Sequence, residues 1–362
     1  MNNNYICFFN SHKAWGGGEK WHSEAAEYFH QNGYNVVVCG NTDGELLKHI
    51  SPEITQYKIR FRNLSFLNPF KYWETYRLLK KLPISTIILC LPIDIKIAGV
   101  VAKILKIKNI IYRRGSAIPI KDSFSNRYLF SHVITDIIAN SEATKRTILQ
   151  NNPHLFDQEK ITVLYNGIDI PEKTEKKQND IFTIGTACRL EPQKNLFSLI
   201  EIAEKLKNKG NQFVIKIAGD GSLKNSLLAE IERKKLQECV KLVGFQSDMR
   251  TFYASLDTFV LTSHWEGFGY VLAEAMTYNL PLVAYDVSSN PELIKDCFNG
   301  FLVPTDDTEA FANRLSNLIT NSELCEQLGN NARTFVEQYF DKQLTLKRVE
   351  NYIQNLNGLI NV

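Results

Sequence analysis

Short apolar runs alternate with amphipathic stretches along most of the 362 residues. In the first half, runs of apolar and β-branched residues predict strands at Tyr5–Asn10, Asn35–Cys39, Ser85–Leu91, Asn109–Tyr112 and Asp136–Asn140. Helical spacing of apolar residues appears between them, most clearly over Glu19–Gln31 and Ala98–Leu105. This strand–helix–strand order predicts a parallel sheet with helices on both faces.

The same pattern restarts after a charged, proline-containing stretch, 171–180, which we interpret as a linker or long surface loop. Strands are predicted at Phe182–Ala187, Phe213–Ala218, Val240–Val243, Thr258–Leu261 and Leu282–Tyr285. The fold class is therefore α/β, with two doubly wound Rossmann-like domains, 1–170 and 171–340. Because such domains bind ligands at the carboxyl ends of their strands, we expect a shared ligand in a cleft between them.

One predicted helix is specified more fully than the others. It follows Asn195, and its leucines, isoleucines and alanine recur at three- and four-residue spacing on one face. Asn195 is a suitable N-cap for this helix, and Gly210 is a suitable end.

The composition is that of an ordinary soluble globular protein, with 44% hydrophobic and 22% charged residues. Seven scattered cysteines without a C-x-x-C pair indicate buried thiols in a reducing compartment, not a disulfide or zinc framework. The first residues do not resemble a signal peptide. We therefore expect a cytoplasmic protein.

Charge is distributed unevenly along the chain. Residues 1–170 carry 21 basic and 14 acidic side chains, whereas residues 171–362 carry 21 and 25. A basic first half fits contact with a membrane or a phosphorylated substrate. Charge alone favours the simpler interpretation, an ordinary variation in surface charge.

Residues 60–81 combine six basic side chains with one acidic one, and six aromatic residues are interleaved. Such a segment fits a contact with an anionic membrane surface. A helix that packs its aromatic residues on the sheet fits the pattern equally well. Nucleic acid is a poor alternative, because no binding module is recognisable and the second half is acidic.

Three common nucleotide-site motifs are absent. The sequence contains neither G-x-G-x-x-G nor a P-loop, and it has no D-x-D pair to chelate a metal-bound nucleotide. No H-E-x-x-H motif or His/Cys cluster indicates a metal site either. We therefore expect neither a metal nor a bound cofactor.

Two turns after predicted strands suit anion binding. Arg189 and Lys194 flank the turn before the helix at Asn195, where backbone N–H groups and the helix dipole would add to their field. Gly219 and Gly221 follow another apolar strand and would let the backbone approach a ligand. Solvated surface cations and a plain tight turn are the ordinary alternatives.

Glu266-Gly-Phe-Gly-Tyr-Val-Leu-Ala-Glu274 is the most informative segment. If Glu274 lies in a helix and Glu266 just before it, a helical rise over the intervening residues places the two glutamates roughly 12 Å apart. That separation suits one carboxylate on a sugar and the other on a ribose of the same nucleotide-sugar. It is too long for a glycosidase pair, which needs about 5–9.5 Å.

Together these motifs resemble the retaining GT-B glycosyltransferases of family 4, specifically those that build lipopolysaccharide and other cell-surface glycans. The matching segments, in chain order, are Gly16-Gly-Gly18, Asn166-Gly-Ile-Asp169, Arg189 with Lys194, Ala218-Gly-Asp-Gly221, Val243-Gly-Phe245, Glu266 with Glu274, and Pro291-Glu-Leu-Ile294 with Asn299-Gly300. Each match is weak by itself, but together they span about residues 15–305.

The resemblance implies a nucleotide-sugar site in the second domain and an acceptor site in the first. It implies that Arg189 and Lys194 hold the donor diphosphate, that Glu274 binds the ribose and that Glu266 binds the transferred sugar. With Arg189 and Lys194, Glu266 completes the implied catalytic set. The remaining implied donor-site residues are Gly17, Gly18, Gly219, Gly244, Phe245, Phe268, Gly269 and Val271. It also implies that a last helix, about 341–362, returns to the first domain.

One position departs from the family pattern. Many members place a histidine near the reacting carbon, where this sequence has Arg113 or Arg114. An arginine there would bind an anionic sugar, an acceptor phosphate or the donor diphosphate, but it cannot act as a general base. We therefore assign Arg113 and Arg114 to the acceptor region.

The resemblance implies metal-independent transfer with retention of configuration. The implied donor is a nucleotide-diphosphate sugar, with uridine as the commonest base in the family, and the implied acceptor is a glycan or lipid-linked glycan. Peripheral association with the inner face of the cytoplasmic membrane through 60–81 would fit such an acceptor. Two other functions stay open from the sequence. One is a GT-B sugar-nucleotide epimerase or hydrolase, which needs no acceptor; the other is a catalytically silent nucleotide-sugar-binding protein.

Overall fold

The computed structural model describes residues 4–172 and 179–358. The chain divides into two compact units. Unit 1 contains the residues up to Asn166 and those from Thr345 onward, and unit 2 is Gly167–Leu344. These divisions fall a few residues from the predicted ones at 170 and 340. Most of the predicted linker, residues 173–178, lies outside the described residues.

Unit 1 is built on a parallel sheet of seven strands, in the order β3-β2-β1-β4-β5-β6-β7. The strands are β1 (Tyr5–Asn10), β2 (Asn35–Asn41), β3 (Thr55–Ile59), β4 (Ile84–Leu89), β5 (Asn109–Arg114), β6 (Asp136–Ala139) and β7 (Ile161–Val163). Its first helices are α1 (Gly17–Gln31), α2 (Pro69–Leu79), α3 (Pro92–Asp94), α4 (Val100–Ile104), α5 (Phe124–His132) and α6 (Glu142–Leu149). A π-helical turn, Ile95–Gly99, joins α3 to α4.

Unit 2 contains a parallel sheet of six strands, in the order β10-β9-β8-β11-β12-β13. The strands are β8 (Phe182–Ala187), β9 (Phe213–Ala218), β10 (Val240–Gly244), β11 (Thr258–Leu261), β12 (Leu282–Tyr285) and β13 (Gly300–Val303). The helices are α7 (Leu196–Asn208), α8 (Lys224–Arg233), α9 (Met249–Ala254), α10 (Tyr270–Met276), α11 (Asn290–Leu293), α12 (Thr308–Thr320) and α13 (Ser322–Phe340).

Both faces of the unit 1 sheet are buried, as parallel sheets require. Along β1, Ile6 and Phe8 pack into a cluster with α1, whereas Cys7 and Phe9 face a second cluster on the opposite side. The predicted α/β class with two doubly wound domains is confirmed, and the predicted strands of both halves form. The three strands that the sequence did not predict, β3, β7 and β13, all lie at the edges of their sheets.

The last helix, α14 (Lys342–Asn357), contributes to the core of unit 1. Its Val349 and Ile353 are fully or almost fully buried in the cluster that also holds Phe8 and Phe29. The hydroxyls of Tyr28 and Tyr34 donate hydrogen bonds to Glu350 of this helix, at 3.0 and 2.8 Å. The C-terminal segment therefore completes a unit that begins more than 300 residues earlier in the chain.

Each sheet has one point at which the strand order reverses direction. In unit 1 this point lies between β1 and β4, and in unit 2 it lies between β8 and β11. In open parallel sheets, ligands bind outside the carboxyl ends of the strands at this reversal point, because the two adjacent loops diverge there. The loops after β1, β4, β8 and β11 are therefore the first places to look for a site.

Candidate functional site

The loops at the reversal point of unit 2 bring Lys194 and Glu266 together. They lie 72 residues apart in sequence, yet Lys194 Nζ is 2.7 Å from Glu266 Oε1. Both side chains are largely buried, with 13% and 10% of their surfaces exposed. Two charges held in that environment interact more strongly than a solvated pair. The ion pair keeps one cation and one carboxylate at the rim of the sheet.

The backbone around Lys194 is fixed by bonds to the loop after β11. Lys194 ends a short 3₁₀ turn, and its carbonyl accepts a hydrogen bond from Thr262 Oγ1 at 3.0 Å. Gln193 donates through its side chain to the carbonyl of Trp265 and accepts from the backbone N–H of His264. The two loops thus form one hydrogen-bonded structure, which holds the Lys194 side chain toward Glu266.

The predicted role of Asn195 as a side-chain N-cap is wrong. The residue adopts the left-handed conformation, with φ of 48°, and its side chain makes no capping bond to α7. Instead Asn195 Nδ2 donates to Asp306 Oδ1 at 3.1 Å. The 3₁₀ turn that carries Lys194 ends here, so a sharp change of direction separates it from α7.

Arg189 and Lys194 are not equivalent in the structure. The Arg189 side chain is 70% exposed and pairs with Glu191 at 3.1 Å. Both cations nevertheless act on the same neighbour, the Cys188 thiol. Burial raises the pKa of this thiol to about 12, although the positive charges of Lys194 and Arg189 offset part of the rise. Lys194 is therefore the buried cation of this site, and Arg189 is an exposed one at its edge.

The glycine turn after β9 packs tightly against the turn after β8. Gly219 has φ of +130°, and a Cβ atom there would lie 1.9 Å from the carbonyl oxygen of Cys188. The backbone N–H of Leu190 donates to the Asp220 carbonyl at 2.9 Å. Only glycine fits this approach, so the conformation of the 188–190 turn depends on the glycine turn.

A cavity of about 240 Å³ opens between these two turns and the segment after β10. Its lining includes Cys188, Gly219, Phe245 and Met249. Phe245 is 77% exposed, and Gly244, with φ of +72°, accepts a hydrogen bond from Gly219 N–H at 2.8 Å. The structure therefore places three residues predicted for the nucleotide, Gly219, Gly244 and Phe245, in one neighbourhood.

The segment between the two predicted glutamates is only partly helical. α10 begins at Tyr270, after Gly269 in the left-handed conformation, so Glu266 lies in the preceding loop. The separation of roughly 12 Å, obtained from a continuous helical rise, is therefore unfounded. Glu274 accepts a hydrogen bond from the Tyr253 hydroxyl at 2.9 Å. Burial and the charge of Glu274 raise the pKa of Tyr253, so that its hydroxyl keeps the proton it donates.

Phe268 and Val271 flank Gly269 and differ in their surroundings. Phe268 is buried, and its ring lies 5.5 Å from that of Phe340. Val271, on the first turn of α10, is half-buried. The Phe268 side chain therefore anchors this loop in the core of unit 2, and only the backbone of 268–269 is suited to a ligand.

In unit 1, Gly17 and Gly18 form the start of α1, which Gly16 precedes as N-cap. A Cβ at Gly18 would lie 3.3 Å from Cys90 Sγ and 3.9 Å from a guanidinium nitrogen of Arg113. The glycine turn after β1 therefore lies beside the ends of β4 and β5.

Arg113 and Arg114 are both buried at the end of β5. Arg113 donates to Asn166 Oδ1 at 2.6 Å, and its guanidinium lies 4.8 Å above the Trp21 ring. Arg114 binds the hydroxyl of Tyr112 at 3.1 Å and also the carbonyl of Ile118. The Arg114 guanidinium thus holds a loop in place, and Arg113 lies nearer to the glycine turn.

Sequence reasoning missed two polar residues around the glycine turn after β1: His12 in the loop and Glu19 in the first turn of α1. Glu19 is buried and accepts a hydrogen bond from Asn10 Nδ2 at 3.0 Å. His12 Nδ1 lies 3.3 Å from the Glu19 carboxylate. The only sequence signal was a histidine and a glutamate on either side of the glycine turn, which is weak without the structure.

The segment 60–81 divides its aromatic residues between two environments. Tyr72 and Tyr76 of α2, with Phe61 and Phe66 before it, pack on the core of unit 1. Phe70 and Trp73 are about half exposed and stack on each other at a ring distance of 5.2 Å. Packing of aromatic residues on the sheet is therefore confirmed for part of the segment, and the membrane contact stays a prediction.

Within the described residues, no helix is long and apolar enough to cross a membrane. Within the same residues, no group of three or more His, Cys, Asp or Glu side chains is arranged to hold a metal ion.

The fold and two matching family models together identify the class of proteins to which the chain belongs. The family model "Glycosyl transferases group 1" matches residues 168–335, and "Glycosyltransferase Family 4" matches residues 15–172. The two models follow each other along the chain and correspond closely to units 2 and 1. The chain belongs to glycosyltransferase family 4, with the GT-B fold.

Curated relatives are similar over part of their lengths. The chain is 32% identical over 233 residues to the capsular polysaccharide biosynthesis glycosyltransferase CapM of Staphylococcus aureus, and the match covers 60% of each chain. It is 30% identical over 201 residues to the UDP-Gal:alpha-D-GlcNAc-diphosphoundecaprenol alpha-1,3-galactosyltransferase of Escherichia coli, covering 55% of this chain and 51% of the relative. The matched part thus spans about half the length of these relatives.

The fold also matches a solved structure along nearly its whole length. Alr3699/HepE from Anabaena, in complex with UDP, superposes with a TM-score of 0.82 at 21% identity. The match covers 97% of this chain and 99% of the other. At this identity the similarity establishes the fold alone.

Proposed function

We propose that this protein is a glycosyltransferase that moves a sugar from a nucleotide-diphosphate sugar to a glycan or lipid-linked glycan acceptor in cell-surface polysaccharide synthesis. The observation that carries the proposal is the buried Lys194–Glu266 pair at the reversal point of the unit 2 sheet. Membership in glycosyltransferase family 4 and the names of the curated relatives support it.

In this proposal the donor diphosphate is held by Lys194, with Arg189 turning from Glu191 toward it. Positive charge at this position stabilises the negative charge that develops on the departing phosphate, and the fixed backbone keeps it oriented before reaction. Glu266, held by Lys194 in the structure, binds hydroxyls of the transferred sugar. Glu274 binds the ribose hydroxyls, with Tyr253 orienting its carboxylate.

The nucleotide base occupies the cavity formed by Gly219, Phe245 and their neighbours. An exposed phenylalanine beside two glycines offers an aromatic face and an accessible backbone, which suits a planar base. We propose uridine as this base. The solved structure of HepE in complex with UDP supports this choice by similarity of fold.

We further propose that transfer retains the anomeric configuration and needs neither a metal nor a bound cofactor. The acceptor hydroxyl attacks the sugar on the same face from which the diphosphate leaves, and the departing phosphate oxygen takes the hydroxyl proton. Lys194 and Arg189 supply the positive charge that neutralises the diphosphate. Product analysis by NMR would show an unchanged anomeric configuration if retention is correct, and an inverted one if it is not.

The acceptor side of the reaction is assigned to unit 1 and to a membrane surface. The E. coli relative is named for a diphosphoundecaprenol acceptor, which supports a lipid-linked acceptor here. Exposed Phe70 and Trp73 with the surrounding cations of α2 fit a peripheral contact with the inner face of the cytoplasmic membrane. Flotation with anionic liposomes at low salt should recover the protein, and a Phe70→Ala/Trp73→Ala variant should float less; absence of any binding would contradict this contact.

The function is tested by nucleotide release from UDP-, GDP- and ADP-sugars in the presence of EDTA, with and without membrane glycolipid. We expect release from one UDP-sugar that the glycolipid stimulates and that Lys194→Ala nearly abolishes. Release without stimulation would identify a hydrolase or epimerase. Donor binding without release would identify a silent binding protein, and inhibition by EDTA would contradict metal independence.

A further inference from the structure

Lys194, the cation that is proposed to hold the donor diphosphate, lies against a carboxylate. Its Nζ atom is 2.7 Å from Glu266 Oε1, and the two side chains are only 13% and 10% exposed. Within residues 4–172 and 179–358, neither group makes another ion pair. A diphosphate that binds Lys194 therefore also comes close to a negative charge that water shields poorly.

Hydrogen bonds between two loops keep this carboxylate beside the cation. Thr262 Oγ1 donates to the Lys194 carbonyl at 3.0 Å, and Gln193 Nε2 donates to the Trp265 carbonyl at 2.8 Å. Each bond involves a member of the ion pair or the residue next to one. Because separation of the two loops would break both bonds, Glu266 stays near any group that binds Lys194.

A UDP-sugar and free UDP differ in how they meet this carboxylate. The sugar brings hydroxyl groups, which donate hydrogen bonds to Glu266 and compensate its charge. Free UDP brings no such donors, and its terminal phosphate, which is no longer esterified, gains a further negative charge near neutral pH. Like charges in close contact are unfavourable unless other groups compensate them. The carboxylate therefore opposes the binding of UDP more than the binding of a UDP-sugar.

We propose that Glu266 is a specificity-determining residue, through which the site discriminates the nucleotide-sugar donor from the nucleoside diphosphate product. In the donor complex, the carboxylate binds sugar hydroxyls beside Lys194. After transfer of the sugar, the same carboxylate loses those donors and repels the diphosphate, which promotes release of the product. This role rests on the proposed function and adds to it a second task for Glu266, besides binding of the sugar.

Calorimetric titration of UDP, and of the UDP-sugar that releases nucleotide in the assay above, measures this discrimination. Both ligands are titrated without acceptor into the wild type and into Glu266→Gln, which keeps the shape of the side chain and removes its charge. UDP should bind the variant about tenfold more tightly than the wild type, because the diphosphate no longer approaches a carboxylate. The UDP-sugar should bind no more tightly, because the loss of charge-assisted hydrogen bonds to its hydroxyls offsets the same relief.

Glu204→Gln is the matched control. Glu204 pairs with Lys234, whose side chain is 16% exposed and thus about as buried as that of Lys194. Lys234 follows α8 and precedes β10, so this pair lies at the amino ends of the strands, opposite the site. The control also removes one paired carboxylate from unit 2, and it should leave both affinities unchanged.

A second variant, Glu266→Ala, is measured alongside, and differential scanning fluorimetry shows which variants are folded. It also lacks the carboxylate, so it too should bind UDP more tightly than the wild type. Tighter UDP binding by either folded variant, with no change in Glu204→Gln, is the result expected from the proposal.

The outcomes separate this role of Glu266 from the proposed function. If neither UDP nor any UDP-sugar binds the wild type, the proposed function is contradicted. If both ligands bind the wild type but the folded Glu266 variants bind UDP equally or more weakly, the discrimination by Glu266 is overturned and the proposed function stands. A gain in UDP affinity that Glu204→Gln shares would also overturn it, because the cause would then be the net charge of unit 2.

Discussion

At the scale of single residues, both units bury charged side chains next to the ends of their strands. Lys194 and Glu266 neutralise each other in unit 2. In unit 1, Asp94 is fully buried and accepts hydrogen bonds from the backbone N–H groups of Ser11 and Leu91, at 3.3 and 3.0 Å. Burial raises the pKa of Asp94 to about 7.

This raised pKa makes the stability of unit 1 depend on pH. Between pH 4 and 7 the unfolded chain releases the Asp94 proton while the folded chain keeps it, so the free energy of unfolding falls as pH rises through this range. Asp94→Asn removes that effect and keeps an oxygen for the two N–H donors. The variant should match the wild type near pH 4 and be more stable at pH 8, by on the order of a few kcal/mol.

Thermal unfolding of both proteins from pH 4 to pH 8 measures the difference. Comparison with the wild type is needed because His22, whose pKa burial lowers to about 3, acts in the opposite direction. Its unfolded form gains a proton below pH 6.5, so it favours unfolding as pH falls. A difference between Asp94→Asn and wild type that does not change with pH would contradict the assignment to Asp94.

At the scale of elements, the site in unit 2 depends on a turn that accepts no side chain. Gly219→Ala would place its Cβ against the Cys188 carbonyl, so the 188–190 turn must move. We expect a loss of thermal stability and at least a tenfold loss of UDP affinity. Gly210→Ala is a matched control, because Gly210 also has a positive φ, of +78°, but nothing lies within 4 Å of its Cβ position.

The control should show only the backbone cost of a left-handed residue, about 1–2 kcal/mol, with normal UDP binding. Differential scanning fluorimetry and UDP titration of the two variants give both quantities. Equal effects of the two substitutions on UDP binding would show that close packing at Gly219 does not shape the site.

Strands and helices of the two sheets could be predicted where the sequence repeats a strong pattern. The apolar run at Phe182–Ala187 and the periodic helix after Asn195 formed as expected. β3 (Thr55–Ile59) was not predicted, because a half-exposed edge strand needs no continuous apolar run. Asn195 does not cap α7 as predicted, because its side chain makes a tertiary contact with Asp306 instead.

The candidate site was predictable only through the family motifs. They indicated Lys194 and Glu266 as separate residues, but a contact across 72 residues of sequence follows from the sheet order, not from local pattern. His12 and Glu19 carried no motif that the sequence analysis used.

At the scale of the whole molecule, the C-terminal helix is part of the first unit. Ile353→Ala should lower the free energy of unfolding of unit 1 by about 2–5 kcal/mol, because it leaves a cavity in the core against α1 and β1. Leu344→Ala, on the exposed side of the same helix, should change it little.

Chemical denaturation gives the stabilities of both variants, and UDP binding reports on unit 2 in the same samples. We expect UDP affinity to be unchanged in Ile353→Ala under conditions where both units are folded. Similar losses of stability in Ile353→Ala and Leu344→Ala would contradict the role given to the buried face of α14.

The central claim is that Lys194, held by Glu266 in unit 2, binds the diphosphate of a nucleotide-sugar. Calorimetric titration of UDP into the wild type, Lys194→Ala and Lys241→Ala tests it most directly, since Lys241 is an exposed lysine of the same unit. We predict that UDP binds the wild type and Lys241→Ala equally and binds Lys194→Ala about 10- to 100-fold more weakly, the loss expected for a hydrogen bond to a charged group. Equal affinity in all three proteins, or no binding to the wild type, would contradict the claim.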